Sequence, residues 1–142
     1  TKALQALIWN LHEAGEFFSA GEQAAIAAYM LPTYLENRFS GRLAHVSKPV
    51  LGREGGGVII YNKHGATIAR DRERHYWDQQ MVYQEYREIA TIPLETLQGV
   101  FPGKVIWSAF LINGKGSAIG ARAGGYITDD LSYYVPLCLQ GE

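Results

Sequence analysis

The chain has 142 residues, 47% of them hydrophobic, and carries 13 Lys and Arg against 14 Asp and Glu, a net charge of −1. That length and apolar content describe one folded domain over residues 1–142 and exclude a disordered chain. The balanced charge removes any global signal for nucleic-acid binding, so a basic site has to be local.

Cys138 is the single cysteine. An intramolecular disulfide and a Cys-based zinc cluster are therefore excluded, and a reducing compartment is favoured. The first segment is broken by Asn10, His12 and Glu13. It lacks the uninterrupted apolar core of a signal peptide and is too short to span a bilayer. The expected location is cytoplasmic, with no membrane partner.

Leu4, Leu7, Ile8, Leu11 and Phe18 recur at helical spacing and predict an amphipathic first helix. Ser19 and Glu22 have the spacing of a capping box, and a second, Ala-rich helix follows through Leu31. Pro32 either kinks it or opens a further turn over Thr33–Asn37. After the Gly-rich break of Gly52–Gly57 comes the clearest hairpin, Val58–Lys63 and Ala66–Arg70 around His64-Gly65.

Residues 66–92 contain no Gly or Pro. As a strand, Arg70, Arg72, Arg74 and Tyr76 share one face and Asp71, Glu73, His75 and Trp77 the other. That sorting of charge predicts a strand to about Arg74, then a helix or irregular segment from Asp78. Pro93 suits the first turn of a short helix, Leu94–Gln98.

Val105–Ile112 is the most apolar run. Both of its period-2 faces are apolar, which predicts a central strand covered on both sides. Asn113-Gly114-Lys115-Gly116 is a turn signal. Ser117–Ile127 follows as a strand that its glycines bend or bulge. Tyr133–Leu139 is the last strand, with Pro136 arguing for an edge or a bulge. The expected fold class is α+β. Two N-terminal helices precede a mainly antiparallel sheet of about five strands, with one or two short inserted helices.

Several groups could carry chemistry. Gly114–Gly120 superficially resembles a nucleotide loop, but no good helix follows it, and turn and bulge is the better reading. The Arg70, Arg72, Arg74 and Tyr76 stripe would set guanidiniums at roughly 7 Å intervals on a strand. Lys63 and His64 would extend it into a phosphate or nucleic-acid surface. The plainer alternative is a solvated strand whose arginines pair with nearby carboxylates. His64 and His75 would move protons in the catalytic version of that reading. His12 and Glu16 stand four apart on the first helix, but two ligands do not make a metal site. Cys138 is expected to be a buried, inert thiol. No metal and no cofactor is assigned.

The aromatics Tyr61, Trp107, Tyr126, Tyr133 and Tyr134 could line a pocket between sheet and helices, or an interface. Three functions follow. The first is a non-catalytic module that binds another protein or its own copy as a homo-oligomer, through an aromatic sheet face or edge strand. The second is a metal-independent enzyme or binder acting on RNA or a nucleotide phosphate. The third is a small-ligand pocket protein.

Overall fold

The computed structural model describes residues 1–138. The chain divides into two compact units, Thr1–Arg87 and Glu88–Glu142. The α+β class holds: two helices come first and antiparallel strands follow. The strands form two sheets, of five and of four, in place of one.

In the first unit, α1 spans Ala3–Ala14 and stops at Gly15, whose N–H turns back to the carbonyls of Leu11 and His12. Next, α2 spans Ala20–Tyr29. Its capping box is complete: the Glu22 N–H donates to Ser19 Oγ, and the Ser19 N–H donates to the Glu22 carboxylate at 2.9 Å. No further helical turn forms over Thr33–Asn37. Met30 is already extended, and Pro32 leads into the short strand β1, Thr33–Tyr34.

The five-stranded sheet has the order β1-β5-β2-β3-β4, and every pair in it is antiparallel. Its strands are β2 His45–Pro49, β3 Ile59–Tyr61, β4 Thr67–Arg70 and β5 Met81–Glu85. Central in this order, β2 places Val46 and Lys48 on one face and His45, Ser47 and Pro49 on the other. Val46, Ile60, Val82 and Thr33 are buried on the Lys48 face. On the opposite face the buried His45 ring stacks between Phe39 and Tyr61. Its Nδ1–H donates to the Leu43 carbonyl, and its Nε2 accepts from the Asn37 amide. A histidine with both nitrogens satisfied in this way is a core residue.

The β3–β4 hairpin forms as expected, with a wider turn closed by Asn62 and Ala66. The strand ends at Arg70 and does not continue to Arg74. The Asp71 carboxylate gathers the amides of Gly57 and Glu73, the chain bends, and Arg74–Trp77 form a single 3-10 turn. The helical spacing beyond Asp78 is also overridden. Met81–Glu85 pairs with β2 along its whole length, and Val82 points into the core.

The second unit is a sheet of order β6-β7-β8-β9, also antiparallel. Its strands are β6 Thr91–Thr96, β7 Gly99–Ile112, β8 Lys115–Gly124 and β9 Tyr133–Val135. The expected helix Leu94–Gln98 is absent because β6 takes its place. Pro93 lies opposite Pro102, a pairing in which neither missing N–H is needed between the strands.

The apolar run is central in its sheet, between β6 and β8, but it is not covered on both sides: Trp107 is 65% exposed and Leu111 72%. Asn113 and Gly114, at φ 50° and 73°, make a tight primed turn. A register shift follows between Phe110 and Leu111. β8 ends at Gly124, short of Ile127. β9 is an edge strand with Pro136 just past its end, and Leu139 of the expected strand lies outside the described residues. No helix among the described residues is long and apolar enough to cross a membrane.

Candidate functional site

The site begins where β2 runs out. Past Pro49 the chain enters Gly52-Arg53-Glu54-Gly55-Gly56-Gly57 before β3. The second half of this loop is anchored. A Cβ on Gly56 would lie 2.5 Å from the Tyr76 ring, and one on Gly57, at φ 71°, would lie 2.6 Å from Tyr76 Cβ. Only glycine lets the backbone approach Tyr76 so closely. The Trp77 Nε1–H donates to the Gly57 carbonyl at 3.1 Å, and the Gly57 N–H donates to Asp71 at 2.8 Å.

The first half of the loop is different. Among the described residues, the amides of Gly52, Arg53, Glu54 and Gly55 donate to no protein acceptor. Successive unused N–H groups in a turn of mixed handedness form an anion-binding concavity.

Cations surround that half. The Lys2 ammonium donates to the Gly52 carbonyl at 2.8 Å, and the Lys2 backbone N–H is tied to the Val50 carbonyl. Lys2, Gln5, Leu51, Gly52, Arg53 and Tyr76 line a cleft of about 580 Å³. From β2, the partly buried Lys48 donates to the Gln84 Oε1 at 2.6 Å. Burial pushes the Lys48 ammonium below the usual lysine range, and the positive charge of Lys2 pushes it further the same way. Burial lowers Lys2 as well. Among the described residues neither lysine has a carboxylate within ion-pair distance. Two cations, Lys2 and Arg53, therefore line the cleft together with the unused amides of Gly52 and Arg53. Such a surface has the donors to bind an anion.

The residues singled out in the sequence are mostly elsewhere. Arg70 ends β4, Arg72 sits in the bend and Arg74 opens the 3-10 turn, so the three do not form a strand-face stripe. Arg70 and Arg74 instead gather over the Trp77 ring, at 5.1 and 6.0 Å. Lys63 and His64 lie in the hairpin turn at the far end of β4 and do not extend that group. His75 packs on Tyr76 at 4.2 Å. Of the whole phosphate set, only Tyr76 lines the cleft. The cations that do line it are Lys2 and Arg53, and the one legible signal for this loop is the Lys48-Pro49 pair shortly before a Gly-rich run.

The aromatic set is divided. Tyr61 stacks on His45 in the first unit. In the second, Tyr126 lies under Lys104 at 4.9 Å, while Lys104 is ion-paired with Glu88. Tyr133 and Tyr134 flank a cavity of about 540 Å³ with Leu94, Thr96 and Leu97. Trp107 does not line it. No helix lies among the described residues of that unit, so the expected sheet–helix pocket does not form there. Cys138 is exposed, not buried. His12 bonds to the Gln23 side chain, not to Glu16. No group of three metal-ligating side chains occurs among the described residues.

The family model described as "Glutathionylspermidine synthase preATP-grasp" matches residues 1–140. No curated protein matches the chain.

Proposed function

The chain belongs to the glutathionylspermidine synthase preATP-grasp family and is thus a domain of an enzyme family, and we propose that its first unit binds the phosphates of a nucleoside triphosphate, with ATP as the candidate, at the Gly52–Gly57 loop. The observation that carries this reading is the partly buried Lys48 facing Lys2 with no carboxylate to neutralise either. A desolvated cation left unpaired in this way is costly unless an anion arrives. The free loop amides and Arg53 supply the remaining donors.

The product in the family's name is an amide between a glutathione carboxyl group and a spermidine amine. Its formation from free carboxylate and amine is driven by phosphoryl transfer. The carboxylate attacks the γ-phosphorus and ADP leaves; the amine then displaces phosphate from the acyl phosphate and releases a proton. In this reading, Lys48 and the loop hold the triphosphate and offset charge as the terminal phosphoryl group moves.

Calorimetric titration of the purified chain tests it. ATP should bind more tightly than AMP, and Lys48→Met and Arg53→Ala should each weaken ATP by about tenfold, roughly 1.4 kcal/mol. Melting temperatures should stay close to the unsubstituted chain. Equal affinity for ATP and AMP, unchanged by Lys48→Met, would remove the reading.

A second reading rests on the apolar side chains that β7 exposes, among them Trp107 and Phe110. They would support contact with a protein partner or a second copy. Light scattering coupled to size exclusion at low and high salt tests it, and a strict monomer at both salts would count against self-association.

A further inference from the structure

We propose that β7 pairs with the β7 of a second copy of this chain, antiparallel about a two-fold axis at Ala109, so that two β7–β8 hairpins join into one four-stranded ribbon. The inference rests on the second reading above and deepens it, naming the partner and the register.

The backbone leaves one edge of β7 open. β6 pairs with β7 only as far as Lys104, whereas β8 follows it to Ile112. Beyond Lys104 no strand among the described residues pairs with the other edge. The Val105 N–H points to that side, since it donates to the Ala90 carbonyl. Successive residues of an antiparallel strand alternate sides, so Trp107, Ala109 and Leu111 aim their N–H and C=O groups away from β8. Proteins guard such an edge with charge, proline or a bulge. β6 carries Pro93 and Glu95, and the short β9 is followed by Pro136. Residues 105–112 hold neither charge nor proline. Their bulge falls on β8, where Ser117 is the extra residue between the partners of Phe110 and Leu111.

Turned about Ala109, this run matches itself. Trp107 of one copy meets Leu111 of the other, Phe110 meets Ser108, Ile106 meets Ile112, and Ala109 meets Ala109. Each pairing occurs twice, as a two-fold axis requires. The outward backbone groups of Trp107, Ala109 and Leu111 then satisfy one another across the axis. The small Ala109 leaves space there for Ile119, which stands opposite it on β8. The paired segment, 106–112, ends where Ala90 already takes the Val105 N–H. Trp107, Phe110, Leu111, Ile112 and Ile119 are 56–72% exposed. Together they carry on the order of 700 Å² of surface, beside roughly 800 Å² per partner in a standard stable interface. An unrelated extended strand would gain the backbone bonds without this matching of side chains.

Light scattering coupled to size exclusion, run over a range of chain concentrations, tests it. The unsubstituted chain should form a dimer that dissociates on dilution. Ala109 is exposed, so a charge there leaves the single chain folded. Ala109→Lys and Ala109→Glu should each weaken the dimer at least about tenfold, because like charges meet at the axis. An equimolar mixture of the two should dimerise again. Leu97→Lys, which adds the same charge at an exposed turn outside β7, should leave the dimer intact. Trp107→Glu and Leu111→Lys form a second pair that should fail alone and recover together. Recovery on mixing does not arise from a general loss of fold, and the second pair reads the register independently of position 109.

A dimer that survives these substitutions would overturn the edge pairing while self-association through the faces of β7 stands. A dimer lost in every single variant and regained in neither mixture would overturn the register, and the proposal with it. A strict monomer at every concentration would overturn self-association in both forms.

Discussion

The N–H of Gly57 donates to the Oδ2 of Asp71 at 2.8 Å, and the same oxygen accepts the N–H of Glu73 at 2.8 Å. One carboxylate thus ends β4 and pins the Gly-rich loop. Burial pushes the Asp71 carboxyl up, but the amides of Gly57, Glu73 and Arg72, with the Arg72 charge, outweigh it, and the net shift is downward. A carboxyl lowered in the folded state contributes stability that is full above its unfolded value of about 3.9 and is lost as pH falls through the folded value. Asp71→Ala should cost about 1–2 kcal/mol at neutral pH. Thermal melts from pH 7 down to 2 should show the difference between Asp71→Ala and the unsubstituted chain shrinking as the pH drops below about 4.

Gly56 and Gly57 both press on Tyr76 but should respond differently to its removal. Ala at position 56 meets the Tyr76 ring and the flexible end of Glu73. Gly56→Ala should therefore destabilise by about 1–3 kcal/mol, and Tyr76→Ala in the same chain should recover most of that loss. Gly57→Ala also carries a positive φ and meets Pro49 and Trp77. The left-handed conformation alone costs about 1–2 kcal/mol, so the same double substitution should recover little. Urea denaturation of the four variants forms the check.

Lys2 contributes to the site and disturbs its neighbour. Its charge lowers Lys48, so Lys2→Gln should raise the Lys48 titration midpoint while weakening ATP. Removing one phosphate-facing cation should cost about 1 kcal/mol, a factor of about five. Titration at two salt concentrations should show that the salt dependence of ATP affinity has fallen.

Ser19 has a structural part only. Ser19→Ala removes the hydroxyl that accepts the Glu22 N–H and leaves the Glu22 carboxylate without that partner. The expected loss is about 1 kcal/mol of stability with ATP affinity unchanged. Chemical denaturation and calorimetry on one sample measure both.

The two helices, the capping box and the two hairpin turns were legible in the residues because each is settled within a few positions. Ser19 and Glu22 satisfy one another three residues apart, and Asn113-Gly114 need only their own dihedrals. The longer strand readings failed where a distant partner outbid local pattern. Arg70 to Arg74 sorted well by charge, yet Asp71 found the Gly57 amide and the strand ended. Pro93 had the look of a helix start, yet Pro102 lay opposite it in a pairing that asks neither for an N–H.

By itself, then, the sequence determined an α+β chain of balanced charge, its two N-terminal helices with the cap between them, its tight turns and the edge position of the last strand. Each of these depends on short-range sterics and hydrogen bonds or on composition. Only the tertiary structure decided which residues share the site. Lys2 precedes the first helix, Arg53 lies in the loop between β2 and β3, and Tyr76 lies in the 3-10 turn after β4. No periodicity links these positions. They meet because Lys2 bonds to the Val50 and Gly52 carbonyls across nearly fifty residues of chain, and because Gly56 and Gly57 let the loop backbone close on Tyr76.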